Sequence, residues 1–74
     1  MFMNEIARRI CANLQSKGWT SGIIVVGRNS ITFTYNQKFD FEECFEFLEN
    51  LLKDDFKSLH LKETCFEVEL KEKR

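Results

Sequence analysis

Several ingredients of common functional sites are scarce or missing in this 74-residue chain. It has no proline, three glycines and one histidine. The glycines, at positions 18, 22 and 27, do not fit the GxxxxGK or GxGxxG spacing of phosphate-binding loops. No cysteines and histidines occur at zinc-ligand spacing, so the sequence provides no ligand cluster for a metal. We therefore expect no metal or other cofactor.

The three cysteines, Cys11, Cys44 and Cys65, form neither an even disulfide set nor a CxxC motif. Small secreted chains usually carry an even number of cysteines. Cys11 and Cys44 both fall among apolar residues with helical spacing, where a reduced thiol packs like a small hydrophobic side chain. We therefore expect reduced thiols and a cytoplasmic protein.

No apolar run approaches the roughly 20 residues that a membrane-spanning helix needs. The first residues, MFMNEIARR, also lack the charged and then apolar layout of a signal peptide. From these two absences we expect a protein that does not interact with a membrane.

A catalytic site is hard to assemble from these residues. His60 is the only histidine, and the nearest cysteine in the sequence is Cys65. A Cys/His dyad needs hydrogen-bond reach and a third group that orients the histidine, and the sequence indicates neither. We interpret His60 as a surface imidazole and expect no enzymatic activity.

Phenylalanine is abundant, with eight residues in the chain. The length allows one domain over residues 1–74, and a domain this small buries only about 60% of its unfolded surface. Each buried phenylalanine ring removes on the order of 150–250 Å² from water, which lets a short chain build a core. A homodimer would bury more surface, so self-association is an alternative that the sequence leaves open.

The stretch from Phe39 to Phe56 has the clearest helical pattern. Asp40 stands at the N-cap position, and Glu43 follows three residues later, as in a capping box. Apolar residues recur at spacings of three and four, which puts them on one face of a helix. These residues are Phe41, Cys44, Phe45, Phe47, Leu48, Leu51 and Leu52. Such a helix needs a sheet to cover its apolar face.

Another helix is predicted over residues 5–17, with Asn4 as its N-cap and Gly18 just after its end. Its apolar residues are Ile6, Ala7, Ile10, Cys11 and Leu14. We expect Trp19 to pack over the end of this helix, because burial of so large a ring stabilises a small fold. The alternative for Trp19 is an exposed anchor at an interface.

The β-branched run Ile23–Val26 and the segment Ile31–Tyr35, in which apolar residues alternate with threonine, flank a turn-forming GRNS sequence and predict a β-hairpin. With Val26 opposite Ile31, directly paired residues share a face. The face toward the helices would hold Ile24, Val26, Ile31, Phe33 and Tyr35. The outer face would hold Ile23, Val25, Thr32 and Thr34.

The C-terminal segment Cys65–Lys71 alternates apolar and charged residues, as a half-buried strand does. The segment Leu59–Leu61 fits either a strand or the end of the preceding helix. The order α-β-β-α-β predicts a two-layer α+β fold with two helices on one face of a small, mainly antiparallel sheet.

The net charge of −1 hides an uneven distribution. Residues 1–38 carry five basic side chains and one acidic side chain, whereas residues 39–74 carry six basic and eleven acidic side chains. The two halves either neutralise each other in the fold or offer a charged surface to a polar partner.

The acidic half suggests the preferred function, a small protein-binding module that acts as a regulator or inhibitor. Glu42, Glu46 and Glu49 lie on one side of the predicted helix and could engage a basic groove on another protein. Ile23 and Val25, on the predicted outer hairpin face, are the other candidate contacts.

The basic half suggests the alternative, a nucleic-acid-binding domain. The candidate residues are Arg8, Arg9, Lys17 and Arg28. Phosphate binding needs such residues in one patch. The chain as a whole is not basic, which makes this the less favoured prediction.

Overall fold

The computed structural model describes residues 3–72, which form two α-helices, one turn of 3-10 helix and a four-stranded antiparallel sheet. The elements are α1 (Met3–Ser16), β1 (Ile23–Val26), β2 (Ser30–Thr34), α2 (Phe41–Leu52), the 3-10 turn (Lys53–Asp55), β3 (Phe56–Leu61) and β4 (Cys65–Leu70). The strand order is β1-β2-β4-β3.

The predicted small α+β fold is confirmed. The segment that the sequence left undecided, Leu59–Leu61, belongs to a full strand, β3. Residues 1, 2, 73 and 74 lie outside the described part of the chain, so a single domain over residues 1–74 stays a prediction.

Helix α1 buries one side, because its apolar residues repeat at helical spacing. The buried residues are Ala7, Ile10, Cys11 and Leu14. Gly18 closes the helix as predicted, with a left-handed φ of 76°. Its N–H donates to the Gln15 carbonyl (2.9 Å), and the next N–H, of Trp19, donates to the Leu14 carbonyl (3.1 Å), which is a Schellman motif. The predicted N-cap is wrong, because Asn4 lies inside α1 (Met3–Ser16).

Helix α2 begins where the sequence predicts. Asp40 has an extended backbone (φ −128°, ψ 118°), and its carboxylate accepts a hydrogen bond from the Glu43 N–H at 3.1 Å. The helix ends at Leu52, because Lys53 takes a φ of 51° that no α-helix accommodates. The Lys53 N–H still donates to the Glu49 carbonyl, and the chain then makes the 3-10 turn into β3.

The hairpin of β1 and β2 has the predicted pairing at its turn but not along its length. Val26 pairs with Ile31 as predicted, whereas Ile23 pairs with Phe33. The register shifts between Ile23 and Val25, which reverses the side on which the residue after Ile23 lies. Within β1 the predicted faces are therefore wrong at two positions: Ile23 packs against the core, and Ile24 is 50% exposed.

One hydrophobic cluster joins both helices to the sheet. Strand β4 pairs Phe66 with Phe33 and Val68 with Ile31, so these four side chains share one face. The largest fully buried side chains are Phe33, Phe66, Ile10, Leu14, Ile31, Leu48, Val68 and Cys44. Because residues from α1, α2, β2 and β4 all appear in this set, both helices and both central strands contribute to the core.

Aromatic rings connect the loops to this cluster. Trp19 is 5% exposed and meets the Phe47 ring edge-on at 5.6 Å, so the predicted burial is confirmed and the exposed-anchor alternative is wrong. Phe39 stacks on Phe66 at 4.5 Å. Tyr35 was predicted on the core face, but it lies beyond the end of β2, is 38% exposed, and donates its hydroxyl to the Glu63 carbonyl at 2.8 Å.

Candidate functional site

Three carboxylates form a row on the exposed side of α2. Glu42, Glu46 and Glu49 are all exposed, as the helical pattern predicts. With about 3.6 residues per turn, positions four and seven residues apart lie within about 60° of each other around the helix. No salt bridge found within residues 3–72 involves these side chains, which we call the acidic row. Their charges therefore face solvent without neutralisation by a described cation.

The outer side of β1 presents two aliphatic side chains. Val25 is 55% exposed, as predicted, and the second residue is Ile24 instead of Ile23. The register shift in β1 explains the exchange, because it places Ile23 toward the core. β1 is also an edge strand of the sheet. We call Ile24 and Val25 the β1 patch, and Ile23 is the weaker candidate for a contact.

The four basic residues that the nucleic-acid prediction needs do not all line one cavity. Lys17 follows the C-terminal end of α1, roughly 12 Å along the axis from Arg9. Its Nζ lies 5.1 Å from the centroid of the Phe47 ring and 5.9 Å from that of Trp19. These cation–π contacts fix Lys17 over the rings that close this end of the helix.

Arg9 and Arg28 do come together, because both line one cavity, whereas Arg8 and Lys17 do not line it. The cavity has a volume of about 540 Å³. It lies between α1, the end of α2, the hairpin turn and the end of β4. Its apolar lining consists of Met3, Ile6, Ile10, Leu51, Leu52 and Leu70. Sequence reasoning missed this cavity, because its walls come from four segments that are distant in the chain.

A polar cluster lies on the sheet face opposite the core. Ser58 and His60 are on β3, and Glu69 is on β4. The Ser58 hydroxyl lies 2.8 Å from His60 Nε2 and donates to Glu69 Oε1 at 3.0 Å, while Nε2 lies 3.0 Å from the same carboxylate oxygen. Lys57 Nζ approaches the other oxygen, Glu69 Oε2, at 3.4 Å. The sequence alone does not show this cluster, because it depends on the register between β3 and β4.

The geometry of this cluster differs from that of a serine-hydrolase triad. In a triad, the serine and the acid contact different nitrogens of the histidine. Here both contact Nε2, and the carboxylate favours a proton on that nitrogen. A protonated Nε2 cannot accept the Ser58 proton, so His60 is not placed as a base for Ser58.

The same hydrogen bonds set the electrostatics of Glu69. The hydrogen bonds from His60 and Ser58 hold the pKa of Glu69 below its usual value, and the bond from His60 has the larger effect. The charge of Lys57 also lowers this pKa. Each of these interactions is partly or fully exposed to solvent, so the cluster is a weakly stabilising surface network.

The structure tests the predicted burial of Cys11 and Cys44. Cys11 and Cys44 are buried, and all three cysteines are free. Burial raises the pKa of the Cys11 thiol and raises the pKa of Cys44 to about 12. Cys65 is partly exposed, and His60 bonds to Ser58 and Glu69 instead of to this thiol.

Between residues 3 and 72, no three His, Cys, Asp or Glu side chains are grouped so that they could hold a metal ion. No helix of that segment combines the length and the apolar character that crossing a membrane requires.

Comparisons of the chain with protein-family models, with curated proteins and with solved structures found no match. The functional proposal therefore depends on the geometry and charge of the surfaces described above.

Proposed function

We propose that this chain is a small non-enzymatic protein-binding module that regulates or inhibits its partner, and that the acidic row on α2 is its main contact surface. The observation that carries the proposal is the set of three exposed carboxylates in line, with no described cation paired to them. Charges arranged in this way speed association with a basic surface and disfavour acidic partners.

The helix that carries the row supports the proposal, because it is anchored at both ends. The Asp40 cap fixes its first turn, and Cys44 and Leu48 are fully buried on its opposite side. A rigid helix presents its carboxylates in one geometry, so little conformational entropy is lost when a partner binds. We place the module in a reducing compartment, the cytoplasm, because its three cysteines are free.

The experiment is a quantitative affinity capture from an extract of the native host, with the immobilised chain as bait. The test variant reverses the three charges of the row: Glu42→Lys, Glu46→Lys and Glu49→Lys. We expect a specific partner that the unaltered chain recovers in a salt-sensitive manner and that this variant does not recover.

A matched control reverses three exposed carboxylates elsewhere: Glu5→Lys, Asp54→Lys and Glu63→Lys. Both variants change the net charge by the same amount, so a general charge effect would act on them equally. The control should recover the partner as the unaltered chain does. Equal recovery by all three chains, or equal loss in both variants, would reject the row as the contact surface.

Self-association through the β1 patch is a second candidate. Ile24 and Val25 are about half exposed on an edge strand, and such edges pair readily with another copy. Sedimentation velocity at micromolar concentration tests it. A homodimer that Val25→Lys converts to a monomer supports this arrangement, and a monomeric unaltered chain eliminates it.

Nucleic-acid binding remains the less favoured alternative. Of its four candidate residues, only Arg9 and Arg28 converge on one site. Phosphate contacts strengthen as salt falls, so a gel shift at low salt is the sensitive test. The absence of a shift under that condition removes this alternative.

A further inference from the structure

The cavity beside Arg9 and Arg28 combines an apolar wall with two guanidinium groups that form no salt bridge within residues 3–72. Its volume of about 540 Å³ lies within the roughly 300–1,000 Å³ of small-molecule sites. Six apolar side chains from α1, α2 and β4 line it, including the fully buried Ile10 and the nearly buried Leu70. A cavity with this lining favours a ligand with an apolar body.

Backbone hydrogen bonds hold the walls of the cavity in place. The Leu70 N–H donates to the Asn29 carbonyl at 2.8 Å, which ties the hairpin turn to the end of β4. The Lys71 N–H donates to the Asp55 carbonyl at 2.8 Å, which ties the 3-10 turn to the same strand end. Two loops are thus fixed against one strand, so the site is largely formed before a ligand binds.

The charges around the cavity favour an anionic group. Among the lining residues that the structure describes, three are basic (Arg9, Arg28 and Lys71) and two are acidic (Asp55 and Glu72). Within residues 3–72, neither Arg9 nor Arg28 takes part in a salt bridge. Guanidinium groups bind carboxylates and phosphates through paired N–H donors, and these two come from separate elements, α1 and the hairpin turn.

We propose that this cavity binds a small amphiphilic anion, with its apolar body against the leucine and isoleucine side chains and its charged head group between Arg9 and Arg28. This site is separate from the acidic row, since no residue of the row lines the cavity. A ligand here would contact α1, α2 and the sheet at once, and would therefore stabilise the folded chain.

Decanoate, at concentrations at which it does not form micelles, is the probe for this site. We expect saturable binding by isothermal titration calorimetry, and the largest amide shifts by NMR at Ile10, Leu51 and Leu70. Decyltrimethylammonium has a chain of the same length and a positive head group. It should bind about tenfold more weakly, because it loses the charge-assisted hydrogen bonds and meets like charge.

Substitutions separate the head-group contacts from general charge effects. Arg9→Gln and Arg28→Gln should each weaken decanoate binding by about threefold to tenfold. Arg8→Gln is the matched control, because Arg8 is exposed on the same helix but does not line the cavity. It should leave binding unchanged, and circular dichroism should show that all three exposed substitutions preserve the fold.

Three results would overturn the proposal. One is decanoate binding that is absent or no tighter than that of the cationic amphiphile. Another is an equal loss of binding for Arg8→Gln and Arg9→Gln. The third is a set of amide shifts centred on the β1 patch, since Ile24 and Val25 would then be the apolar surface that the probe occupies.

Discussion

Lys53 holds a backbone conformation that side chains with a Cβ atom rarely adopt, and replacing it with glycine should stabilise the fold. Its φ of 51° and ψ of −120° lie outside the regions that ordinary L-residues populate. The conformation is fixed from both sides, because the Lys53 N–H donates to the Glu49 carbonyl and the Lys53 carbonyl accepts from the Phe56 N–H. The side chain itself is exposed, so its removal costs little packing.

The expected gain follows from two opposing contributions. A residue held in a sparsely populated region costs on the order of 1–3 kcal/mol. Glycine removes this cost but gains conformational freedom in the unfolded chain, which offsets about 0.5–1 kcal/mol. The net stabilisation for Lys53→Gly is therefore about 1 kcal/mol, equivalent to a rise in Tm of about 4–8 °C for a domain of this size.

Thermal and urea unfolding followed by circular dichroism measures this gain. Lys53→Ala is the control, because it removes the same charge and the same long side chain but keeps the Cβ atom. Its stability should stay within about 0.5 kcal/mol of the unaltered chain. If Lys53→Gly is no more stable than Lys53→Ala, the conformation at Lys53 is not strained and the reasoning is refuted.

Three further predictions concern the core, the thiols and the polar cluster. Phe66→Ala should lower the free energy of unfolding in urea by about 3–5 kcal/mol, because this ring is fully buried. Phe41 is 38% exposed, so Phe41→Ala should lower it by only about 1 kcal/mol. Equal costs would contradict the described burial. Brief alkylation of the folded chain should modify Cys65 well before Cys44, because the Cys44 thiol is fully buried and has a pKa of about 12. Site-resolved mass spectrometry measures the two rates, and faster modification of Cys44 would contradict the prediction. The pKa of Glu69 is lowered in the folded state, so its contribution to stability is present above the unfolded-state pKa of about 4.3 and is lost as the pH falls through the folded-state value. Glu69→Gln should therefore show a flatter loss of stability below about pH 4.3, and an unchanged acid profile would count against the hydrogen bonds.

The parts of the fold that depend on neighbours in the sequence could be predicted. Asp40 and Glu43 are three residues apart, and the cap that they form involves no other segment. The end of α1 at Gly18 is likewise a local event, because the Schellman hydrogen bonds reach back only to the last turn of the helix. The position of Asn4 inside α1 was missed, because Asn favours N-cap positions over the interior of a helix.

The parts that depend on distant partners could not be predicted. The run Ile23–Val26 is uniformly apolar and has no alternation, so nothing in it marks the register shift that exchanges Ile23 and Ile24. β3 contains a second register shift, between Phe56 and Ser58, which shortens its regular alternation to a few residues. This explains why the sequence left the segment open between strand and helix.

The candidate surfaces also differ in whether they depend on neighbours in the sequence or on distant segments. The acidic row could be predicted because a single helix carries it, and its three residues are exposed as expected. The basic patch could not be predicted in the same way. Helical spacing does not show that Lys17 lies over aromatic rings, or that Arg28 and Arg9 line the same cavity. An uneven distribution of charge along a chain therefore indicates a charged surface, but only the fold shows which charged residues lie on that surface.

Photo-crosslinking in cells of the native host tests the acidic row most directly. A benzophenone amino acid at position 46 lies in the middle of the row, and the same group at position 5, on α1, is the control. We predict that position 46 gives a discrete adduct with one partner that has a basic surface, and that position 5 does not. Adducts at position 5 alone, or none at position 46 while the chain still co-purifies with a partner, would contradict the assignment of α2 as the binding surface.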